Sequence, residues 1–303
     1  MGGIGNQLFQ FAAVHSTLQP GEKLVLDISS FGKSNRVAFI SEFELENVFE
    51  IINDQSLLKR LRNKLIHLEL ISKLNPKIIT RMLSILSRPF TLLFLKSRYG
   101  AFVDFVVPNR IGYQYLEESN KDTALYLGYF QSSLHIKNST KDFLMSIKPL
   151  KQSNNFDIWI KRIQSEKPII LHSRRTDYNF ESEFGVLSAK YYKKVLSEIH
   201  HDNDIPTWVF SDDISAVKQE FLKIEGYNFV FFNKEILSDT EVFHIMRMGS
   251  SYLIANSSFS FWAAFLKFDS TAKVYYPSPW FKSVTQPHSM TPKDWIAFPS
   301  DFQ

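Results

Sequence analysis

The sequence predicts an α/β protein built on parallel sheet and divided into two domains. Three observations lead there. At 303 residues the chain exceeds most single compact cores, so two domains of roughly 100 to 200 residues are the natural division. Composition is that of an ordinary globular protein, 44% apolar and 22% charged, with 28 Phe to fill a core. Past about residue 150, short apolar runs of strand length are each followed by a polar cluster and then a helical pattern, the rhythm of a parallel α/β domain. The division is therefore an N-terminal domain over 1–150 and a C-terminal domain over 151–303.

The chain opens on Gly2, Gly3, Ile4, Gly5, Asn6 and Gln7, then Leu8, Phe9, Phe11 and Ala12 at helical spacing. Glycines before a helix let backbone N–H groups approach an anion, which the helix dipole favours. A tight turn into a core helix accounts for the same pattern, which lacks the Lys-Ser/Thr ending of a phosphate loop and the full dinucleotide spacing. Within the N-terminal domain, residues 56–100 carry ten Lys or Arg against Glu69, a net of +9, while the whole chain is only +4. Apolar residues such as Leu65, Leu68, Ile71 and Ile78 recur there at roughly helical spacing. Basic amphipathic helices are expected, with either a solvated charged face or an anionic membrane surface as their partner. Aromatics do not interleave with these charges, so nucleic acid is not the expected partner.

In the C-terminal domain the first run, Pro168–His172, leads into Ser173, Arg174, Arg175, Thr176, Asp177 and Tyr178. Thr207–Phe210 leads into Ser211, Asp212 and Asp213, Tyr227–Phe232 follows, and Tyr252–Ala255 opens into Asn256, Ser257, Ser258 and Phe259. Open α/β sheets bind ligands outside the carboxyl ends of their strands, where three of these four clusters fall. Adjacent guanidinium groups just past a strand suit a diphosphate, one facing the ligand while the other faces inward; a pair of surface salt bridges is the alternative. Asp212 and Asp213 are read as helix N-caps ahead of Ile214 or as metal ligands, and without a third carboxylate at ligand spacing no metal is expected. Ser257 and Ser258 can cap the next helix, direct donors at a phosphate, or do both. With no Cys there are no disulfides, and a reducing compartment fits. No secretory pattern opens the chain and no stretch is long enough to span a membrane.

Five motifs in order resemble the α1,2-fucosyltransferases of glycosyltransferase family 11. They are Gly2-Gly-Ile-Gly-Asn-Gln-Leu-Phe-Gln-Phe-Ala12, Leu127-Gly-Tyr-Phe-Gln-Ser132, His172-Ser-Arg174-Arg175-Thr-Asp177-Tyr178, Phe210-Ser-Asp212-Asp213 and Ile254-Ala-Asn256-Ser257-Ser258-Phe259-Ser-Phe-Trp-Ala-Ala264. The resemblance runs from residue 1 to about 281 and is poorest between about 50 and 120. His-x-Arg-Arg-x-Asp also recurs in α1,6- and protein O-fucosyltransferases, so the wider superfamily is the firmer match.

What the resemblance implies is a GT-B architecture, two Rossmann-like lobes with a cleft between them, GDP-fucose held mainly by the C-terminal lobe, and no cofactor or required metal. By motif, Arg174 engages the β-phosphate while Arg175 and Asp177 hold the loop. His172 and one of Asp212 or Asp213 lie near ribose and guanine. Asn256, Ser257, Ser258 and Phe259 line the diphosphate, and Gly5, Asn6 and Gln7 face it from the other lobe. The chemistry is inverting attack of a galactose-type 2-hydroxyl on fucose. Arg174 stabilises the leaving group, and Glu181 and Glu183 are the candidates for general base or simply solvated loop charges.

Two departures from the family stand out: the chain starts at the glycine loop without the strand that usually precedes it, so the N-terminal lobe is expected to lack its first strand; and Thr176 replaces a frequent Gly. A transferase using another nucleotide sugar, or an inactive GDP- or glycan-binding relative, are the alternative readings. A cytoplasmic bacterial enzyme of O-antigen or similar surface-glycan synthesis is implied, peripheral on the inner membrane near a lipid-linked acceptor.

Overall fold

A computed structural model describes residues 2–28, 38–44, 49–52, 104–106, 112–116, 124–126, 128–179, 183–199, 205–232 and 237–303. The basic segment 56–100 and Glu181 lie outside these residues. Helix α1 (Ile4–His15) opens the chain, followed by β1 (Leu24–Asp27), β2 (Phe43–Glu44), β3 (Phe49–Ile52), β4 (Asp104–Val106) and β5 (Ala124–Tyr126). Next come α2 (Asn138–Met145), β6 (Lys148–Pro149) and α3 (Phe156–Glu166). β1 pairs with β3 and β4 with β5, both parallel, and β2 pairs antiparallel with β6.

The C-terminal half forms one six-stranded sheet. Its strands are β7 (Ile169–Ser173), β8 (Thr207–Ser211), β9 (Phe229–Phe231), β10 (Ser251–Leu253), β11 (Lys273–Ser278) and β12 (Ile296–Pro299), in spatial order β12-β11-β10-β7-β8-β9. Every neighbouring pair is parallel. The chain thus enters at the centre, walks outward through β8 and β9, and returns to the other side of β7 with β10. That is the doubly wound dinucleotide-binding order, whose reversal point opens a crevice between the first and fourth strands. Helices α4 (Ala189–Ile199), α5 (Ile214–Phe221), α6 (Asp239–Met246) and α7 (Ser258–Phe265) make four of the crossovers. The four expected strand runs are present. β11 and β12 are two more; the first carries Pro277 and the second is a largely exposed edge, so neither has the uninterrupted apolar run that marks a buried strand.

Alternation along the strands sorts side chains to two faces. Leu171, Val209, Leu253 and Tyr275 join α4 and α5 in one buried cluster. Ile170, Trp208, Tyr252 and Val274 join α6 and α7 in the other. Burial of both faces explains why these strands read as continuous apolar runs. The second cluster also takes in Leu8, Phe9 and Phe11 of α1, and Leu144 and Ile147 around α2 and β6. Phe9 lies 4.7 Å from Phe261 and 5.0 Å from Trp262. Buried Arg247 pins the same junction: Nε donates to Leu266 O at 2.9 Å, Nη1 to Ile147 O at 3.1 Å and Nη2 to Met145 O at 2.6 Å. The carbonyls at two helix ends receive a cation there, as the helix dipole favours. Its guanidinium stacks 4.3 Å from the Phe268 ring centre, and burial brings its pKa down to about 10.

Candidate active site

The polar clusters after β7, β8 and β10 meet at the carboxyl edge of the sheet. Asp212, just past β8, reaches the loop after β7. Its Oδ1 accepts from Arg175 N–H at 2.8 Å, and its Oδ2 accepts from Thr176 N–H at 3.2 Å and from the Thr176 hydroxyl. Arg174 Nε lies 3.2 Å from the same oxygen. Burial works to raise the Asp212 pKa, but the Thr176 hydroxyl, the Arg174 charge, the Arg175 amide and His172 together hold it below the usual carboxylate value.

The two adjacent arginines part company here. Arg174 presents one edge of its fork to Asp177, Nε to Oδ1 and Nη2 to Oδ2, both at 2.8 Å. Side-on pairing of this kind leaves the outer Nη1–Nη2 edge pointing away from the carboxylate. Arg174 is part-exposed, at 29% of its side chain. Burial opposes its charge, yet Asp177 and Asp212 outweigh that and raise its pKa. Arg175 turns inward to 3% exposure. Its Nε donates to Ser173 Oγ at 3.0 Å, and Nη1 and Nη2 donate to Glu220 on α5 at 3.1 and 2.8 Å.

Across the reversal point, β10 delivers Asn256, Ser257 and Ser258 to the start of α7. Ser257 is the extended N-cap residue, and its side chain makes no cap bond. The first intrahelical bond runs from Phe261 N–H to Ser257 O at 2.9 Å. The amides of the preceding turn thus have no intrahelical acceptor, the ordinary basis of anion binding at a helix start. The start of α1 lies directly against it: a Cβ added to Gly5 falls 2.3 Å from Ser258 C and 2.6 Å from Phe259 N. Two helix N-termini therefore converge beside the β7 loop. His172 lies at the same edge, its ring 6.0 Å from Phe259. It is buried with Nδ1 unpartnered. Burial first, and Arg174 second, bring its pKa to about 4 despite the pull of Asp212, so the ring is neutral near pH 7.

The other expected site residues have partners within the protein, Arg175 in the loop-holding role its motif implies. Gly5 is the point where α7 presses on α1. Gln7 is buried, its Nε2 donating to Gly2 O at 3.0 Å and its Oε1 accepting from Phe39 N–H at 2.7 Å. Arg175 is held by Glu220. Asp213 caps α5, accepting from Ala216 N–H at 3.1 Å, as its N-cap reading expects. The Asn256 amide donates to Phe184 O and Gly185 O, both at 3.0 Å. Asn6 is half-buried and its Oδ1 accepts from Gln131 Nε2 at 2.9 Å. Glu183 is exposed, its backbone carbonyl accepting from Ser283 N–H at 3.0 Å. His172, Arg174, Asp177, Asp212, Ser257, Ser258 and Phe259 remain grouped around the crevice. Glu220, Thr176 and Tyr178 complete it unannounced: Glu220 lies in the last turn of α5 with only its helical register as a signal, and the other two sit inside the arginine motif. A cleft of ≈ 270 Å³ lined by Glu198, Ser250, Thr271 and Lys273 lies at the opposite, amino ends of β10 and β11.

A guanidinium edge and two helix starts thus stand together at the reversal point of a doubly wound sheet. The profile described as Glycosyl transferase family 11 matches residues 94–298, and the chain belongs to that family of glycosyltransferases. It is 27% identical to the O-antigen biosynthesis glycosyltransferase WbnK of Escherichia coli, over 97% of each chain. It is 22% identical to an alpha-1,2-colitosyltransferase of Escherichia coli, over 93% of this chain and 90% of that one. Among solved structures, fucosyltransferase NodZ from Bradyrhizobium matches with a TM-score of 0.47 at 14% identity, over 89% of this chain and 93% of that one.

Proposed function

We propose that the chain transfers L-fucose from GDP-fucose to the 2-hydroxyl of a galactose-type acceptor, with inversion and without a required metal, during bacterial O-antigen or related surface-glycan synthesis. The observation that carries this is the outer edge of Arg174, braced by Asp177 and Asp212 beside the paired starts of α1 and α7. Sugar transfer from a nucleoside diphosphate builds negative charge on the leaving diphosphate as the anomeric bond breaks. A guanidinium already fixed in place and helix-start amides meet that charge without reorganising, often the largest catalytic term. His172, buried and neutral with its ring 6.0 Å from Phe259, lies near the ribose and guanine in this reading. Glu183 and Glu181 are the proposed candidates to take the acceptor proton. A two-lobed GT-B arrangement with an acceptor-side N-terminal lobe over 1–150 fits this reading. So does a cytoplasmic enzyme docked by the basic segment 56–100 on an anionic membrane near a lipid-linked acceptor; among the described residues no helix is long and apolar enough to cross a membrane. The names of the two Escherichia coli relatives support O-antigen synthesis and an α1,2 linkage.

A second reading, a donor other than GDP-fucose, is favoured by the relative named for colitose, because Arg174 and the helix starts meet a diphosphate and not a sugar. The test is a panel of nucleotide sugars, GDP-fucose among them, offered with β-galactosides in EDTA, with product linkage read by NMR. An α1,2-linked fucoside supports the first reading. Turnover only with another donor moves the assignment to the second, and activity restored only by divalent metal overturns the proposed mechanism.

A further inference from the structure

The loop that carries Arg174 leaves the sheet at the end of β7 and is fastened again before α4 begins, both times to Asn256. The Tyr178 hydroxyl donates to the Asn256 backbone carbonyl at 2.8 Å. The Asn256 side-chain nitrogen donates to Phe184 O and Gly185 O, both at 3.0 Å. Two carbonyls facing one nitrogen fix the orientation of the amide, and its Oδ1 is left buried without a partner. Leaving a buried oxygen unpaired is costly, so the two donations are what the side chain is oriented for.

Other contacts complete the fastening. Arg174 lies over the Tyr178 ring, its guanidinium carbon 5.9 Å from the centre. The Tyr178 ring packs 5.3 Å from Phe184, which packs 5.1 Å from Phe281. Phe184 O also accepts from Lys282 N–H at 3.2 Å. Gly185 takes φ +76°, and a Cβ there would stand 2.6 Å from the Phe302 ring, so only glycine fits the return of the loop.

We propose that Tyr178 and Asn256 are positioning residues for the transfer reaction, a latch that keeps Arg174 in register with the α7 helix start. Asp177 sets the rotation of the guanidinium, and Tyr178, tied to the sheet through Asn256, sets its position over the crevice. Asn256 directly precedes Ser257 and Ser258, so one residue couples both halves of the anion site. The inference rests on the diphosphate-donor reading and extends it to residues whose tying groups touch the loop and not the ligand.

The experiment is a double-mutant cycle on GDP affinity by titration calorimetry, with melting temperature recorded for each protein. Tyr178→Phe removes only the hydroxyl and keeps the ring beneath Arg174. It is expected to weaken GDP binding about 5-fold, a pairwise coupling of ordinary size. On an Arg174→Ala background the same change is expected to cost less than about 1.5-fold, because the latch then has nothing to position. Asn256→Ala is expected to follow the same pattern. Tyr178→Phe binding GDP as well as the unaltered protein overturns the latch. So does an undiminished loss on the Arg174→Ala background, which marks general loosening. Absence of GDP binding by the unaltered, folded protein overturns the donor reading itself, and needs no variant to be recognised.

Discussion

The loop after β7 and the glycine-led start of α1 carry the same kind of signal in sequence, small or basic residues poised to meet a phosphate, and the protein uses them differently. In the loop, Asp177 and Asp212 take up one edge of Arg174, and the other points away from both carboxylates. At the helix start, Gly5 is filled by the backbone of Ser258 and Gln7 by Gly2 and Phe39. A glycine that admits a ligand and a glycine that admits a neighbouring helix look alike until the neighbour is known. In the loop, side chains hold an arginine in place; at the helix start, the glycine admits α7.

Four measurements break or sharpen this contrast, the largest effect first. Arg174→Ala is expected to slow transfer 100-fold or more, about 3 kcal/mol by analogy with removing one preorganised donor, with a much smaller shift in the urea midpoint. Equal losses of rate and stability would make the loop as structural as the helix start.

Gly5→Ala is expected to destabilise by about 2 to 3 kcal/mol in urea unfolding, because the added methyl meets backbone that cannot yield as a side chain does. Gly3→Ala is the internal control. Nothing lies within 4 Å of its Cβ position, so its cost is limited to that of an altered N-cap, about 1 kcal/mol. Similar costs for the two glycines would break the packing account of α1.

The third measurement is stability against pH. His172 and His244 are both brought to about 4, each chiefly by burial, whereas an unfolded histidine takes up its proton near pH 6.5. The unfolded chain therefore binds more protons between those values, and stability falls as pH drops from about 6.5 to about 4 and stops falling on their account below that. Each costs roughly 3 kcal/mol at the acid end, on the order of the shift times 1.36 kcal/mol per unit. Asp212, with its lowered pKa, continues the loss into stronger acid. His172→Asn is expected to flatten the decline by about half; an unchanged slope would mean that the edge of the crevice is wet.

The smallest effect is that of Asp213→Ala, about 1 kcal/mol for one lost N-cap, with transfer essentially retained. Loss of activity without loss of stability would return Asp213 to the ligand.

Much of the site was legible because burial of both faces of a parallel sheet leaves its strands as plain apolar runs. Thr207–Phe210 was readable and extends by one residue to Ser211. The polar clusters after these runs mark the carboxyl edge. That one of two neighbouring arginines faces in and the other out follows from strand-exit geometry. Which one does so follows from Glu220, 45 residues away. Asn256 was the least legible: its amide has the chemistry of a ligand contact, and only the return of the loop at Phe184 and Gly185 reveals that it holds backbone.

By itself the sequence determined the local order, namely helix after glycines, strand before polar cluster, serines ahead of α7, because hydrophobic period and capping chemistry act over a few residues. Tertiary structure alone decided that β10 returns beside β7, that Gly5 lies on Ser258, and that Arg175 rather than Arg174 goes to Glu220. Those facts depend on which distant surfaces bury each other, and burial energy, being non-directional, leaves no short-range mark in the chain.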